Sequence, residues 1–510
     1  MGPAAGGHYG AAMDDDLALL EGLVHDVLTE QCGAAFADEV DWLHATAARV
    51  RQGDPDAGDA LVRHLHELPA EDMEGIIRAC SLQLQLANIA EERERLRRRR
   101  SYDAEGARQR ESLAETAEKL AAGGVAAAEA VRGLHVELVL TAHPTEATRR
   151  SVLDHQSELS ALLDLLEDPR TGHARRLALL DELREILTVW WLTDEVRRVR
   201  PRVEDEVRRM LYVFESVLYD TVPVTLGELE RRLGVEPDHP VLEFASWPGG
   251  DMDGHPEVGA DTVTRTIELH RHTALRLLRR DVRRLARRFA HSERRLTVDD
   301  ELRTSLERDA AELPSANVLR RPHHDWEPLR SKLGFIERRL INAGEEGRPG
   351  EPGYEAPAQL RADLELVARN AGSGHVARGA IRRLLRKVEV FGFHLAGLDL
   401  RQSATVVDDA VAALLPGFAN APESERQALL AQAIAAGRVG LERRPAGVSG
   451  ELVAALDAAA LAADAYGPEV ARCLIVSMTE RPSHVLGVLW LAQRAARRTP
   501  EARGALDLRF

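Results

Sequence analysis

Thr141, His143, Thr145, Glu146, Arg149 and Arg150 fall within ten residues of one another, directly after the apolar run Val136–Leu140 (VELVL). An imidazole there can move a proton, and paired guanidiniums can hold a phosphate or carboxylate. Pro144 suits the first turn of a helix. The pattern therefore reads as a buried strand passing into a helix, with His143 between the two. In α/β barrels, chemistry is built at the C-terminal ends of the strands. A helix N-terminus and nearby arginines disfavour imidazolium, which leaves His143 neutral and able to act as a base. Glu146 is favourable in the first turn, Arg149 and Arg150 follow a turn later, and the positive helix end attracts an anionic substrate. The plainer alternative is a histidine that only caps a helix or satisfies a core hydrogen bond; the clustering of polar groups tips the reading toward catalysis.

Two further clusters have the same setting. Ser246–Val258 (SWPGGDMDGHPEV) pairs Gly249 and Gly250, which let backbone approach a ligand, with Asp251 and Asp253, which either bind metal or position basic side chains. An ordinary turn is the competing reading, and His255-Pro256 interrupts any calcium loop of the EF-hand type. Gly397–Ala404 (GLDLRQSA) places Asp399 and Arg401 on one face of a strand, with Leu398 and Leu400 on the other. Arg401 at a strand's C-terminal end is suited to clamp a carboxylate or phosphate; a structural Asp–Arg pair is the equal alternative.

The elements that must position these groups are short apolar segments on a helical background. Five stand out: Val136–Leu140, Val241–Ser246, Phe393–Leu400, Arg472–Ser477 and Ala505–Phe510. Alternation with helical patterns implies βα units and a parallel sheet, decorated by long helical insertions. We expect a disordered tail over residues 1–15, a helical region over 16–130, and the sheet with its insertions over 131–510. The stretches Gly344–Ala358 and Pro416–Ser424 read as breaks between helices.

Several features carry no chemistry in this reading. Glu91–Arg100 (EERERLRRRR) is expected to be a solvated helix surface, and His270, His272, His323 and His324 to be surface residues. Leu275–Leu296 forms a basic amphipathic helix that packs its apolar stripe. Across 510 residues the net charge is −16, a poor start for a nucleic-acid binder, and no run approaches the ~18 apolar residues of a membrane span. Only three lysines stand among 67 basic residues, so arginine clusters reflect composition as well as function. Cys32, Cys80 and Cys473 offer no disulfide framework or zinc spacing, and no secretory signal is visible, which implies the cytoplasm.

LVLTAHPTEATRRSV, SWPGGDMDGHPEV, FGFHLAGLDLRQS and VSMTERPSHVL, in this order, resemble phosphoenolpyruvate carboxylase, as do LQLANIAEERERLRRRR, WWLTDEVRRVRPRVEDEVR and LGFIERRL. The resemblance implies a predominantly α-helical protein around a parallel (β/α)₈ barrel, with about five of the eight strands present here and large helical insertions. It implies carboxylation of phosphoenolpyruvate by bicarbonate, giving oxaloacetate and phosphate. Bicarbonate attacks the phosphoryl group, and CO₂ released from carboxyphosphate is captured by the metal-stabilised enolate. His143 matches the histidine assigned to proton removal from carboxyphosphate. Arg401 matches a substrate-site arginine, with Arg149, Arg150, Gly249, Gly250 and Asp251 as further substrate-binding positions. Mg²⁺ or Mn²⁺ is implied, with its ligands expected beyond Phe510 and none among these residues.

Two departures stand out. Met252 and His255 replace the Arg and Asn of the pattern Asp-Arg-Asp-Gly-Asn-Pro, and family members are much longer. The chain is therefore expected to be catalytically silent alone, as a piece of a longer protein or one half of a split enzyme that needs a C-terminal partner chain. When complete it is expected to be a homo-oligomer, with no nucleic-acid or membrane partner. A non-catalytic binding or regulatory scaffold derived from the family is the alternative.

Overall fold

The computed structural model describes residues 11–106, 109–141, 149–194, 202–237, 239–255, 257–318, 326–344, 346–437 and 445–496. It is mostly helical and divides into two compact units, residues 1–115 with 145–200, and residues 116–144 with 201–510. No helix among the described residues is long and apolar enough to cross a membrane.

The first unit is all helical, built from Ala11–Cys32, Ala34–Arg51, Pro55–Glu67, Ala70–Ala104, Arg150–Glu167 and His173–Trp191. Leu20, Leu23, Val24, Val27 and Leu28 recur at helical spacing and pack with Leu159, Leu163, Leu183, Leu187 and Trp190. Asp54 caps the Pro55–Glu67 helix, its carboxylate accepting from Ala57 N at 3.2 Å. The charged run at 91–100 departs from a purely solvated face. Arg93 is buried, and its guanidinium donates to Asp16 at 3.0 Å, Asp164 at 2.5 Å, Glu167 at 2.8 Å and the Ser160 carbonyl at 3.2 Å. Arg97 shares Asp16 and Glu167. A planar fork with several donors can satisfy itself inside a helix bundle where composition alone suggests exposure.

The described residues of the second unit include four parallel strands, β1 (Val136–Leu140), β2 (Leu242–Ser246), β3 (Gly397–Ser403) and β4 (Cys473–Ser477), hydrogen-bonded in sequence order. The sheet curls into a half-barrel. Three strands fall where the sequence places them. The third begins four residues later than expected, because Gly392 (φ 48°) and Leu395 (φ 64°) turn the chain while Phe393 and Leu395 are buried in helix-side clusters. The segment Ala505–Phe510 lies outside the described residues, so four strands rather than five are seen.

Alternation decides which side chains each face presents. Leu398, Leu400 and Leu474 join Val407, Val411, Leu452 and Trp490 in the helix-side core. The opposite, inner face takes Glu137, Glu243, Asp399, Arg401, Cys473 and Ser477, as the register Glu137↔Glu243 and Asp399↔Cys473 requires. β1 is poorly covered, with Val136, Leu138 and Val139 all exposed.

The basic amphipathic helix runs from Ala260 to Arg288, and Leu275, Leu278, Val282, Leu285 and Phe289 are buried as expected. His270 corrects the surface reading. It is enclosed, its Nδ1 lies 3.1 Å from the Ala396 carbonyl, and burial pulls its pKa down to about 4. Its position on the buried side of the helix, three and four residues before Thr273 and Ala274, carries that signal. His272 is exposed, and His323 and His324 lie outside the described residues.

Candidate functional site

The inner face of the sheet carries polar groups toward both ends of its strands, and the two ends differ. At the N-terminal ends of the strands Arg472 bridges Glu137, at 3.1 Å, and Glu243, while His135 approaches Glu243 at 3.5 Å. Charges crossing several strands at this end tie the sheet together.

At the other end, the chain leaves β2 through Trp247. Its N–H donates to the Leu140 carbonyl at 2.9 Å, carrying the β1–β2 ladder one step further. A turn follows, closed by Gly250 N to Trp247 O at 2.8 Å. What Gly249 and Gly250 accommodate in this structure is the protein itself. Gly249 has φ 86°, and a Cβ there would lie 2.1 Å from Thr266 Oγ1. At Gly250 a Cβ would lie 2.1 Å from the Asp399 carbonyl oxygen. That close approach lets the turn pair with β3: Arg401 N donates to Gly250 O at 3.0 Å and Met252 N to Arg401 O at 2.9 Å.

This pairing sets both aspartates against one guanidinium. Arg401 Nη1 donates to Asp251 at 2.8 Å and Nη2 to Asp253 at 3.1 Å. Asp251 Oδ1 accepts from Asp253 N at 3.1 Å, Ser477 Oγ at the end of β4 donates to Asp253 at 2.8 Å, and the guanidinium lies 5.0 Å from the Trp247 ring centre. Of the open readings of Asp251 and Asp253, the structure shows the positioning of a basic side chain. Arg401's partners are these two aspartates rather than Asp399. The cluster remains about a quarter exposed, and two carboxylates around one guanidinium give it a net negative charge.

Mg²⁺ or Mn²⁺ takes several oxygen ligands in near-octahedral array. Asp251 and Asp253 are already engaged by Arg401 and Ser477, and no group of three or more His, Cys, Asp or Glu side chains able to hold a metal occurs among the described residues. The residues described do not fit the metal.

Asp399 lies two residues before Arg401 on the same face and is almost fully buried. Burial, reinforced by Glu137, pushes its carboxyl up to about 7, against the opposing pull of Trp247 and Arg472. Met252 turns the other way. Its side chain is buried in the apolar cluster with Val258, Val263 and Ile267, so position 252 presents no group to the inner face.

His143 lies outside the described residues; the strand that leads to it ends at Leu140. Arg149 and Arg150 belong to the first unit. The helix starts at Arg150, after an extended Arg149. Arg149 Nη1 donates to the Asp194 carbonyl at 2.8 Å, and Arg150 lies 3.8 Å from Asp154. Trp247, Ser477, Arg472, Glu137 and Glu243 escaped the sequence reading. Extending the alternation of Asp399 and Arg401 to neighbouring strands would have found Ser477, but only the register reveals the others.

The family model for phosphoenolpyruvate carboxylase matches residues 13–510. The chain belongs to the phosphoenolpyruvate carboxylase family. It is 36% identical to a phosphoenolpyruvate carboxylase of Xanthomonas oryzae pv. oryzae over 97% of this chain and 56% of the relative. It is 32% identical to one of Roseiflexus castenholzii, over 96% and 56%, and 33% identical to one of Mycolicibacterium paratuberculosis, over 95% and 54%. The chain spans about half the length of these curated relatives. Within this phosphoenolpyruvate carboxylase framework, the departure at Met252 falls on a side chain committed to the core, and the two aspartates beside it hold Arg401.

Proposed function

We propose that this chain contributes part of the active site of a cytoplasmic phosphoenolpyruvate carboxylase, which converts phosphoenolpyruvate and bicarbonate to oxaloacetate and phosphate. The observation that carries the reading is the tie between the exit of β1 and Arg401. Trp247 bonds to Leu140 at the end of β1 and lies against the guanidinium. The segment leading to His143 and the Arg401 guanidinium thus share one end of a parallel sheet, the end where α/β barrels place their chemistry.

In this proposal Arg401 holds an anionic oxygen of phosphoenolpyruvate, its fork fixed by Asp251, Asp253 and Ser477. A bicarbonate oxygen attacks phosphorus, the bond from phosphorus to the enol oxygen breaks, and carboxyphosphate and the enolate of pyruvate result. His143, neutral, removes the carboxyphosphate proton. The bond between the carboxyl carbon and the phosphate oxygen then breaks, releasing CO₂ and phosphate, and C3 of the enolate forms the new bond to CO₂. Each polar group acts by being held in place before charge develops.

The same proposal assigns the remaining strands of an eight-stranded barrel, further positive charge and the divalent metal to residues outside this chain, in its continuation or a partner. The net negative charge around Arg401 supports this, since an incoming anion needs additional cations there. That net charge also supports the second reading, a scaffold that binds without turnover.

A coupled assay of oxaloacetate formation separates these readings. The chain completed by the C-terminal half of a relative should turn over, and His143→Ala should lower its rate by roughly 10²–10⁴. An unchanged rate would remove His143 from the mechanism, binding without turnover would favour the scaffold, and full activity from the 510 residues alone would refute the need for completion.

A further inference from the structure

The Ala260–Arg288 helix holds several of its arginines against acids. Arg276 meets Glu215, Arg279 meets Glu346 at 2.9 Å, Arg280 meets Asp281 at 3.1 Å, and Arg283 meets Glu337. Arg271 is different. It makes no ion pair among the described residues. One terminal nitrogen donates to the Ala343 carbonyl at 2.8 Å, and the other, sealed from water, has no hydrogen-bond partner. Its guanidinium lies 4.6 Å from the Tyr466 ring centre and 5.8 Å from that of Phe393. Burial lowers its pKa, and a guanidinium stays protonated in proteins, so the group is a half-buried cation with no counter-charge among the described residues. A donor left unmet in such a place is costly to the fold.

Arg271 forms part of the wall of a cleft of about 450 Å³, lined by the apolar groups of Leu275, Leu340, Ile341 and Tyr466, by Gly344, and also by His272, Arg276 and Arg279. A cleft of this size, more apolar than polar and with a few charged groups on its wall, is the usual form of a small-molecule site; of its three arginines, Arg276 and Arg279 have acidic partners and Arg271 has none among the described residues. Of the two carboxylates on its lining, Glu346 is taken by Arg279, and Glu268 forms no ion pair with Arg271. We infer that this cleft binds a small organic anion with an apolar or aromatic body, its acid group set against Arg271 and its body against Leu275, Ile341 and Tyr466. The ligand supplies the counter-charge that the fold does not. The site uses neither His143 nor Arg401, so it stands or falls separately from the carboxylase reading.

Isothermal titration of the full chain with 4-phenylbutyrate and with its neutral amide tests the inference. The acid should bind, with the amide at least tenfold weaker. Arg271→Gln should weaken the acid by a similar factor and leave the amide unchanged. Because Arg271 also packs against two rings, a second variant guards against misfolding. A Cβ at Gly344 meets only ordinary contacts, 3.6 Å from Ile341 O and 3.7 Å from Leu275 Cδ1. Gly344→Leu should therefore keep the melting temperature and fill the cleft, abolishing binding of both probes. Equal affinity for acid and amide, binding that survives Gly344→Leu, or no binding of the acid to the unaltered chain would each overturn the inference.

Discussion

Two clusters in the second unit are built from the same parts and behave differently. Lys332 sits between Asp309, at 2.7 Å, and Asp363, at 2.5 Å, with Ser305 Oγ at 2.8 Å. Arg401 sits between Asp251 and Asp253, with Ser477 on the second carboxylate. Each has one cation, two aspartates and a serine. Lys332 is wholly enclosed, and its neighbours complete the network: Tyr354 donates to Asp363 at 2.6 Å and Arg339 to Asp309 at 2.8 Å. Arg401 is partly exposed, and its two aspartates engage only two of its N–H groups. A closed cluster can only hold the fold, whereas an open one retains donors for something that arrives. The choice of cation fits. In a chain so rich in arginine, two of the three lysines, Lys332 and Lys387, each meet two carboxylates in buried sites that take a compact ammonium.

Breaking the closed cluster should have the largest effect on stability. Lys332→Ala leaves buried carboxylates without their cation and is expected to cost about 3–5 kcal/mol in urea unfolding; a loss below about 1 kcal/mol would remove the contrast between the clusters. Met252→Arg, which restores the family residue, buries a charge in an apolar cluster. It is expected to lose roughly 3 kcal/mol without raising activity in the completed enzyme, and a gain in activity would show that position 252 faces the site.

Asp399 gives a pH-dependent test. Its carboxyl rises from the ordinary 3.8 to about 7 on folding, so the folded chain binds the extra proton between those values. Its contribution to stability is therefore present below 3.8, falls as pH rises toward 7, and stays lost above. Asp399→Asn should flatten that slope and raise stability above pH 7 by roughly 2–3 kcal/mol, whereas an unchanged slope would mean Asp399 is ionised throughout. The smallest change is expected of Ser477→Ala, which removes one hydrogen bond from Asp253 and should cost about 1 kcal/mol, with a larger proportional effect on substrate KM than on kcat.

The sequence made β1, β2 and β4 legible because each is a short apolar run ending in a turn. It misplaced the start of β3 because Phe393 and Leu395 are apolar for a different reason, as buried residues of a turn. It put Asp399 and Arg401 on one face correctly, since a strand's period is two whatever its neighbours are. It leaves open what Asp251 and Asp253 do, because nothing local shows that the Gly249–Gly250 turn lies against β3, where Arg401 stands 150 residues beyond Asp251. Arg93 and His270 were misjudged by composition, since their burial depends on distant partners such as Asp16 and Ala396.

The central claim is that Arg401 is held open at the strand ends to receive an anion. Steady-state kinetics of the completed enzyme carrying Arg401→Gln test it most directly. The account predicts that KM for phosphoenolpyruvate rises at least tenfold, with urea unfolding close to that of the unaltered protein. An unchanged KM and kcat, or a loss of stability as large as that of Lys332→Ala, would contradict it.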